Sequence, residues 1–497
     1  MPEDIMKELE RLFYPRSIAV IGASQRGVGF GTGGNGVGFM EGPISLRFSG
    51  MVYPINPKAK TVLGYKAYPS VLDVPDDIDL AILAVHHKVA LSVIKDCAVK
   101  GVKFAHLFTA GFSETGQEEN AELEREMIRV AKAGGVRIIG PNCMGVYCPE
   151  GGVGWNKDFP QEPGPVGFVS QSGQLAGQFA DTGGRAGLRY SKVISFGNAS
   201  DLQCHDFLNY LAQDEKTRII GGYLEGLKDG DAFYQAAKKI TPRKPIVIWK
   251  GGQTEGGSRA TQSHTASIAG SADIWRALCR QAGIISVDSQ EELITTISAL
   301  QRLALPGGTK VAVLGGAGGG SVTMTDEAER QGLQVPKLSE KTIKTLEEFV
   351  PLQGNIVSNP LDIMGALVFS QLSSPNAGKS IDNFLRLFQL LGDDPKIDAL
   401  IFFQRMEMPA RTGGRALIDL FMEKTCDGAK IMGKPVFIVL EKGHTLDQEA
   451  VRGDAQEFYK NRGYATFPSF SAAARALYNM NQYRKYLDAL GVRKAEK

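Results

Sequence analysis

Three times along this chain an uninterrupted apolar run ends in a Gly- or Ser-rich turn and passes straight into a stretch of helical length. The three are SIAVIGAS at 17–24, PVGFVSQSG at 165–173 and TKVAVLGGAGGG at 309–320. A run without polar alternation needs apolar cover on both faces, which a parallel sheet flanked by helices supplies. More runs of this kind follow at 50–56, 79–85, 104–109 and 136–140, then at 191–196, 218–226, 245–252 and 283–287, and finally at 397–403 and 434–440. Helix-length amphipathic segments such as 117–133 lie between them, and 470–488 reads as a helical tail. The alternation predicts an α/β chain of doubly wound parallel sheets.

At 497 residues the chain exceeds one core, and usual domain sizes predict about two to four. PEGGVGWNKDFPQEPGP at 149–165 and LALPGG at 303–308 lack periodicity and carry Pro and Gly. They divide the chain into 1–148, 160–303 and 308–490. The second and third sets share the strand–turn–helix opening, which points to two flavodoxin-like units.

A net charge of +2 leaves no electrostatic footprint for nucleic acid or an acidic membrane surface. Six scattered cysteines without a CxxC pair support neither zinc nor a disulfide scaffold and suit a reducing compartment. The charged N-terminus MPEDIMKELERLFYPRS has no apolar signal region, and no apolar stretch approaches a membrane span. The expected location is the cytoplasm.

Several positions are candidates for chemistry. After the first strand, Gly22, Ala23, Ser24 and Gly27 form a turn whose N–H groups can approach a phosphate at a helix start. After the second strand stand Asn56, Pro57 and Lys58. A nicotinamide-dinucleotide enzyme usually has an acidic residue there for the ribose diol, whereas Lys58 suits a 3′-phosphate of CoA type. A purely structural turn is the third reading. In FVSQSGQLAG, Ser170 and Ser172 can cap the following helix and Gly173 leaves room for an anion, although plain capping explains the same residues. Glu225 ends an apolar strand in GGYLEG, the edge where ligands sit in open α/β sheets. His264 lies in RATQSHTASIAGS, read as a loop of small residues, with three readings: solvated loop residue, metal ligand or nucleophile. Metal has no second ligand at suitable spacing. A carboxylate from Glu225 on its Nδ1–H would fix the tautomer and leave Nε2 free. His106, inside FAHLFT, reads as a satisfied core residue. In the third set, Ser321, Asn359 and Asp362 line either a second anion site or a structural turn.

Taken together, LFYPRSIAVIGAS, YPINP, AGFSETG, GPNCMGV, FVSQSGQLAG, SFGN, YLEG and SHTASIAGS resemble the α subunit of ADP-forming acyl-CoA (acetyl-CoA) synthetases. That subunit is kin to the α chain of succinyl-CoA synthetase. The likeness runs over nearly the whole chain, strongly to about residue 300. It implies an N-terminal Rossmann-like CoA-binding domain and two flavodoxin-like ligase domains. It also implies the reaction acyl-CoA + ADP + phosphate ⇌ carboxylate + CoA + ATP. His264 would carry the phosphoryl group, Glu225 would orient it, and Ser170, Ser172, Gly173 and Asn142 would cradle phosphate and acyl group. No ATP-grasp region is present, so ADP or ATP with Mg would be bound mainly by a partner β subunit in a hetero-oligomer. Ala266 stands where the family has Gly. A non-catalytic CoA-binding regulator is therefore the alternative reading, and the aromatics of GWNKDF (154–159) are candidates for an acyl pocket.

Overall fold

The computed structural model describes residues 3–24, 36–265, 271–365, 367 and 377–492, without the side chains of 3–7, 262–265, 377, 408 and 411–413. The chain divides into two units, Met1–Gln290 and Glu291–Lys497.

In the first unit, α1 (Glu3–Phe13) leads to β1 (Ser17–Ile21), α2 (Gly38–Ser45) and β2 (Met51–Ile55). A short hairpin, β3 (Thr61–Val62) and β4 (Tyr65–Lys66), precedes β5 (Leu80–Leu83), α3 (His87–Lys100), β6 (Phe104–Leu107), α4 (Glu118–Ala133) and β7 (Arg137–Ile139). The strands run parallel in the order β2-β1-β5-β6-β7. Every residue of β1, β5 and β6 is buried, as runs covered on both faces require. The order reverses between β1 and β5, which opens a crevice at their carboxyl ends. Gly22 turns the chain out of β1 there with φ +91°, and a Cβ on it would lie 2.3 Å from the Ala84 carbonyl oxygen. Only glycine fits that close crossing.

The second sheet is built from β8 (Gly145–Tyr147), β9 (Pro163–Ser170), α5 (Gly173–Arg185), β10 (Tyr190–Ser195), α6 (Cys204–Gln213) and β11 (Ile219–Leu224). It continues with α7 (Gly230–Ile240), β12 (Ile246–Lys250), α8 (Glu255–Thr265), α9 (Ala272–Ala282) and β13 (Ile285–Val287). The order is β13-β12-β11-β9-β10-β8, again reversing beside its first long strand, β9. Strand β8, which the apolar pattern does not announce, pairs antiparallel with β10. Ser170 lies opposite Tyr223, and Leu224 opposite Lys250. The turns after β9, β11 and β12 therefore leave the sheet side by side.

The second unit begins with α10 (Gln290–Arg302), then β14 (Val311–Leu314), α11 (Gly319–Arg330), α12 (Glu340–Glu347) and α13 (Ala377–Asp393). β15 (Ala399–Gln404), α14 (Glu407–Met432), β16 (Val436–Leu440), α15 (Leu446–Asn461), β17 (Thr466–Phe467) and α16 (Phe470–Ala489) complete it. Its sheet is parallel in the order β14-β15-β16-β17. Ala299 of α10 joins Val313, Ile401, Phe437 and Leu477 in one of its cores, so α10 packs with this unit. No described helix is long and apolar enough to cross a membrane.

Candidate active site at the carboxyl edge of the second sheet

The turn after β9 begins with Ser170, which is fully buried, and its hydroxyl donates to the Ser172 carbonyl at 2.7 Å. Ser172 alone caps α5, its Oγ accepting from Leu175 N at 3.3 Å. The expectation that both serines cap the helix is thus corrected: burial turns Ser170 inward to close the turn. The room at Gly173 also has a different use. A Cβ there would lie 2.8 Å from Met144 Cγ, so the missing side chain lets the 140–145 loop pack against the helix start.

That loop is tied down from several sides. Asn142, at φ +57°, donates its N–H to the Thr109 carbonyl at 3.0 Å. Met144 N donates to Ser195 Oγ at 3.1 Å, and Asn198 N donates to the Pro141 carbonyl at 3.0 Å. The Asn198 amide donates to Ser113 Oγ, Glu114 Oε2 and Glu124 Oε2 at 3.3, 2.6 and 3.2 Å. Glu124, buried at 6% exposure, also accepts from Ser113 N and the hydroxyls of Ser113 and Ser200. The motifs AGFSETG, GPNCMG, SFGN and SQSG thereby form one polar cluster. No single residue of the Asn198–Glu124 network stands out in the sequence, because Asn198 lies 74–85 positions from its three side-chain partners.

His106 is the core residue its setting in β6 predicts, and it has a second task. Its ring is 2% exposed, and Nε2 donates to the Cys143 carbonyl at 3.0 Å. Burial lowers its pKa to about 4, opposed by the bond to Cys143. A histidine free in the unfolded chain titrates near 6.5, so between these values the unfolded state binds more protons and stability falls as pH drops. The expected result is a pH-dependent loss of up to about 3 kcal/mol between pH 6.5 and 4 that is absent in His106→Gln. Thermal unfolding across that range checks it, and identical pH profiles for the two proteins would refute it. The neighbouring Cys143 is buried too, which pushes its thiol up to about 12, and its Sγ faces the Leu107 carbonyl at 3.6 Å. It is no thiolate nucleophile at neutral pH.

Glu225 follows β11 and is 7% exposed. Its N–H and that of Gly226 donate to Gln171 Oε1 at 2.5 and 2.9 Å. Its carbonyl accepts from Lys250 Nζ at 2.7 Å, and its Oε1 accepts from the Tyr223 hydroxyl at 3.2 Å. Burial and the adjacent carboxylate push the Tyr223 phenol well above its ordinary value, so it stays a donor. The glutamate and the SQSG turn, predicted separately, are thus joined through Gln171. His264 is placed differently from the sequence expectation: its backbone lies in the last turn of α8 rather than in a loop. Its ring lies outside the described residues, as do Gly27 and all of Ala266.

At the first sheet, the Gly22 N–H donates to the Ile55 carbonyl at 3.0 Å. Ala23 is buried and Ser24 half-buried beside it. Asn56 spends its side chain on the fold: Nδ2 donates to the Ala23 carbonyl at 2.7 Å, and Oδ1 accepts from Lys58 N and Ala59 N. It holds the two turns together, leaving Pro57 and Lys58 exposed at the rim. His86 caps α3, its Nδ1 accepting from Lys88 N at 3.3 Å. The aromatics of 154–159 are core residues. Trp155 and Phe159 are buried against Tyr147, with ring centroids 6.2 and 5.1 Å from it.

In the second unit, Asn359 serves the fold, bonded to Val313 N and the Val311 and Pro336 carbonyls. Asp362 Oδ2 accepts from Gly318 N at 2.8 Å. Ser321 is 1% exposed in the first turn of α11. Among the described residues no three or more His, Cys, Asp or Glu are grouped to hold a metal ion.

Two sequence families match this chain. A CoA binding domain covers residues 16–149, and a succinyl-CoA ligase like flavodoxin domain covers 163–300. The ADP-forming acetate–CoA ligase II subunit alpha of Pyrococcus furiosus is 34% identical over 96% of this chain and 98% of its own length. The ADP-forming acetate–CoA ligase II of Archaeoglobus fulgidus is 36% identical over 87% of this chain, and the match spans 61% of that longer protein. Among solved structures, the dinucleotide forming acetyl-coenzyme A synthetase 1 of Ca. Korarchaeum cryptofilum, in complex with phosphate and ADP, matches at 32% identity. Its TM-score is 0.80, over 97% of this chain and 98% of that one.

Proposed function

Since the chain belongs to the family of ADP-forming acetate–CoA ligase α subunits, we propose that it is the CoA-binding, phosphohistidine-carrying subunit of an ADP-forming acyl-CoA synthetase. The observation that carries this reading is the Gln171 bridge. It joins the start of α5 to Glu225 where the second sheet reverses its strand order, beside the strand that leads into α8 and His264.

In this reading phosphate attacks the acyl-CoA thioester carbonyl, giving an acyl phosphate and free CoA. A ring nitrogen of His264 then takes the phosphoryl group, releasing the carboxylate, and passes it to ADP. The Glu225 carboxylate orients the imidazole and offsets the positive charge the ring gains on attack. The N–H groups at the start of α5, from Ser172 and Gly173 onward, receive the anion, since a helix N-terminus favours negative charge. Ser170 and Asn142 act less directly, closing the turn and setting the neighbouring loop. Gly22, Ala23, Ser24, Gly27, Asn56, Pro57 and Lys58 form the CoA site, with Lys58 toward a phosphate and Asn56 bracing the turn. The reading assigns Mg and the adenine nucleotide to a partner ATP-grasp β subunit, in a cytoplasmic hetero-oligomer. The reading takes 1–148 for CoA, 160–303 for the histidine and 308–490 for the second ligase fold, with β8 crossing to pair in the histidine sheet and α10 packing with the last unit.

The test uses the purified chain with the ATP-grasp protein that copurifies with it and γ-³²P-labelled ATP. Acid-labile, base-stable label on this chain supports the reading. CoA binding without label under any partner overturns it in favour of a regulatory protein.

A further inference from the structure

Lysine is a costly choice at a buried strand end. Lys250, the last residue of β12, is 7% exposed, and burial lowers its ammonium's pKa, opposed by the Glu225 carboxylate. Its Nζ donates to two main-chain oxygens, those of Glu225 at 2.7 Å and Gly251 at 2.5 Å. An uncharged side chain of this length would leave both carbonyls without that donor.

The two carbonyls belong to different parts of the site. Glu225 follows β11. Gly251 opens the turn from β12 to α8, the helix that bears His264. The next residue, Gly252, has φ +73°, and a Cβ on it would lie 2.7 Å from Thr261 Oγ1 in α8. Thr261 sits one turn before His264 on that helix. Lys250 therefore grips the glutamate and the root of the histidine's helix with one group. Gln171 holds the Glu225 N–H from the opposite side, and the Tyr223 hydroxyl steadies the carboxylate.

We propose that Lys250 is a positioning residue for phosphoryl transfer, fixing Glu225 relative to the helix that presents His264 and offsetting its charge. The proposal rests on the phosphohistidine reading above. It adds a residue that touches neither CoA nor the phosphoryl group and acts through Glu225.

The labelling assay tests it. Lys250→Met is expected to slow labelling by about ten- to a hundredfold, the scale of a small misplacement of reacting groups, with CoA affinity unchanged. In a Glu225→Gln background the same change should cost clearly less than in the wild type, because the carboxylate charge that Lys250 places and offsets is already gone. Lys250→Arg, which keeps charge and donors, should recover most of the loss. If Lys250→Met does not fold, Lys250→Gln replaces it in the same double-mutant comparison. Labelling of Lys250→Met at the wild-type rate overturns the proposal, and so do losses that simply add in the double variant. A wild-type chain that takes no label overturns the earlier reading and this one with it, and so separates the two failures.

Discussion

His264→Ala is expected to abolish phosphoryl labelling of the chain while leaving CoA binding within about twofold, because sites on separate sheets act independently. The loss should be complete because no described group can substitute. A phosphoryl group on Glu225 would be an acyl phosphate, which base hydrolyses, so it would not survive as base-stable label. All six cysteines are buried, and the pKa of Cys143 is pushed up to about 12. A phosphoserine formed at Ser172 would be stable to acid, so the chemistry of the label separates it from phosphohistidine. Mass spectrometry of the labelled peptide covering 255–270 provides the check. Label that survives the substitution places the nucleophile elsewhere and removes the central claim.

Glu225→Gln is expected to cut the labelling rate by about 10²- to 10³-fold, the scale seen when one preorganised electrostatic group is removed from an active site. The substitution is close to isosteric. Glutamine can still accept from the Tyr223 hydroxyl through its side-chain oxygen, and its main-chain bonds to Gln171 and Lys250 do not change. On the proposed reading, what disappears is the negative charge that would hold one tautomer of the imidazole and steady the cation formed on attack. The effect should fall on the rate of transfer rather than on CoA affinity, and single-turnover labelling at saturating ATP separates the two. An unchanged rate would show that Glu225 serves only the strand end.

Much of this architecture can be read in the chain itself. Runs such as IAVI (18–21) and LAIL (80–83) are apolar at every position, and the strands they form are buried along their length. The breaker-rich stretch at 149–165 lies between the two matched families. Gly22 and Glu225 were legible because each sits where an apolar run stops. Other features left no local trace. Strand β8 is three residues long and pairs antiparallel, too short to show a period. Gln171 and Lys250 are ordinary polar residues until the strands on either side are known to be neighbours. The loop expected around His264 is the end of a helix, since small and hydroxyl residues in RATQSHT weaken the helical signal without preventing the helix.

The amino-acid sequence by itself determined most of the strands and helices, β8 and the end of α8 excepted, and which turns carry glycine, serine and glutamate. Those are local properties, set by hydrophobic period and backbone freedom over a few residues. Tertiary structure alone decided which turns face one another. Strand order made neighbours of Ser170, Glu225 and Lys250, and packing turned Ser170 inward and placed His106 beneath the 140–145 loop. Such pairings depend on contacts between residues tens of positions apart, whose energies no short window of sequence contains.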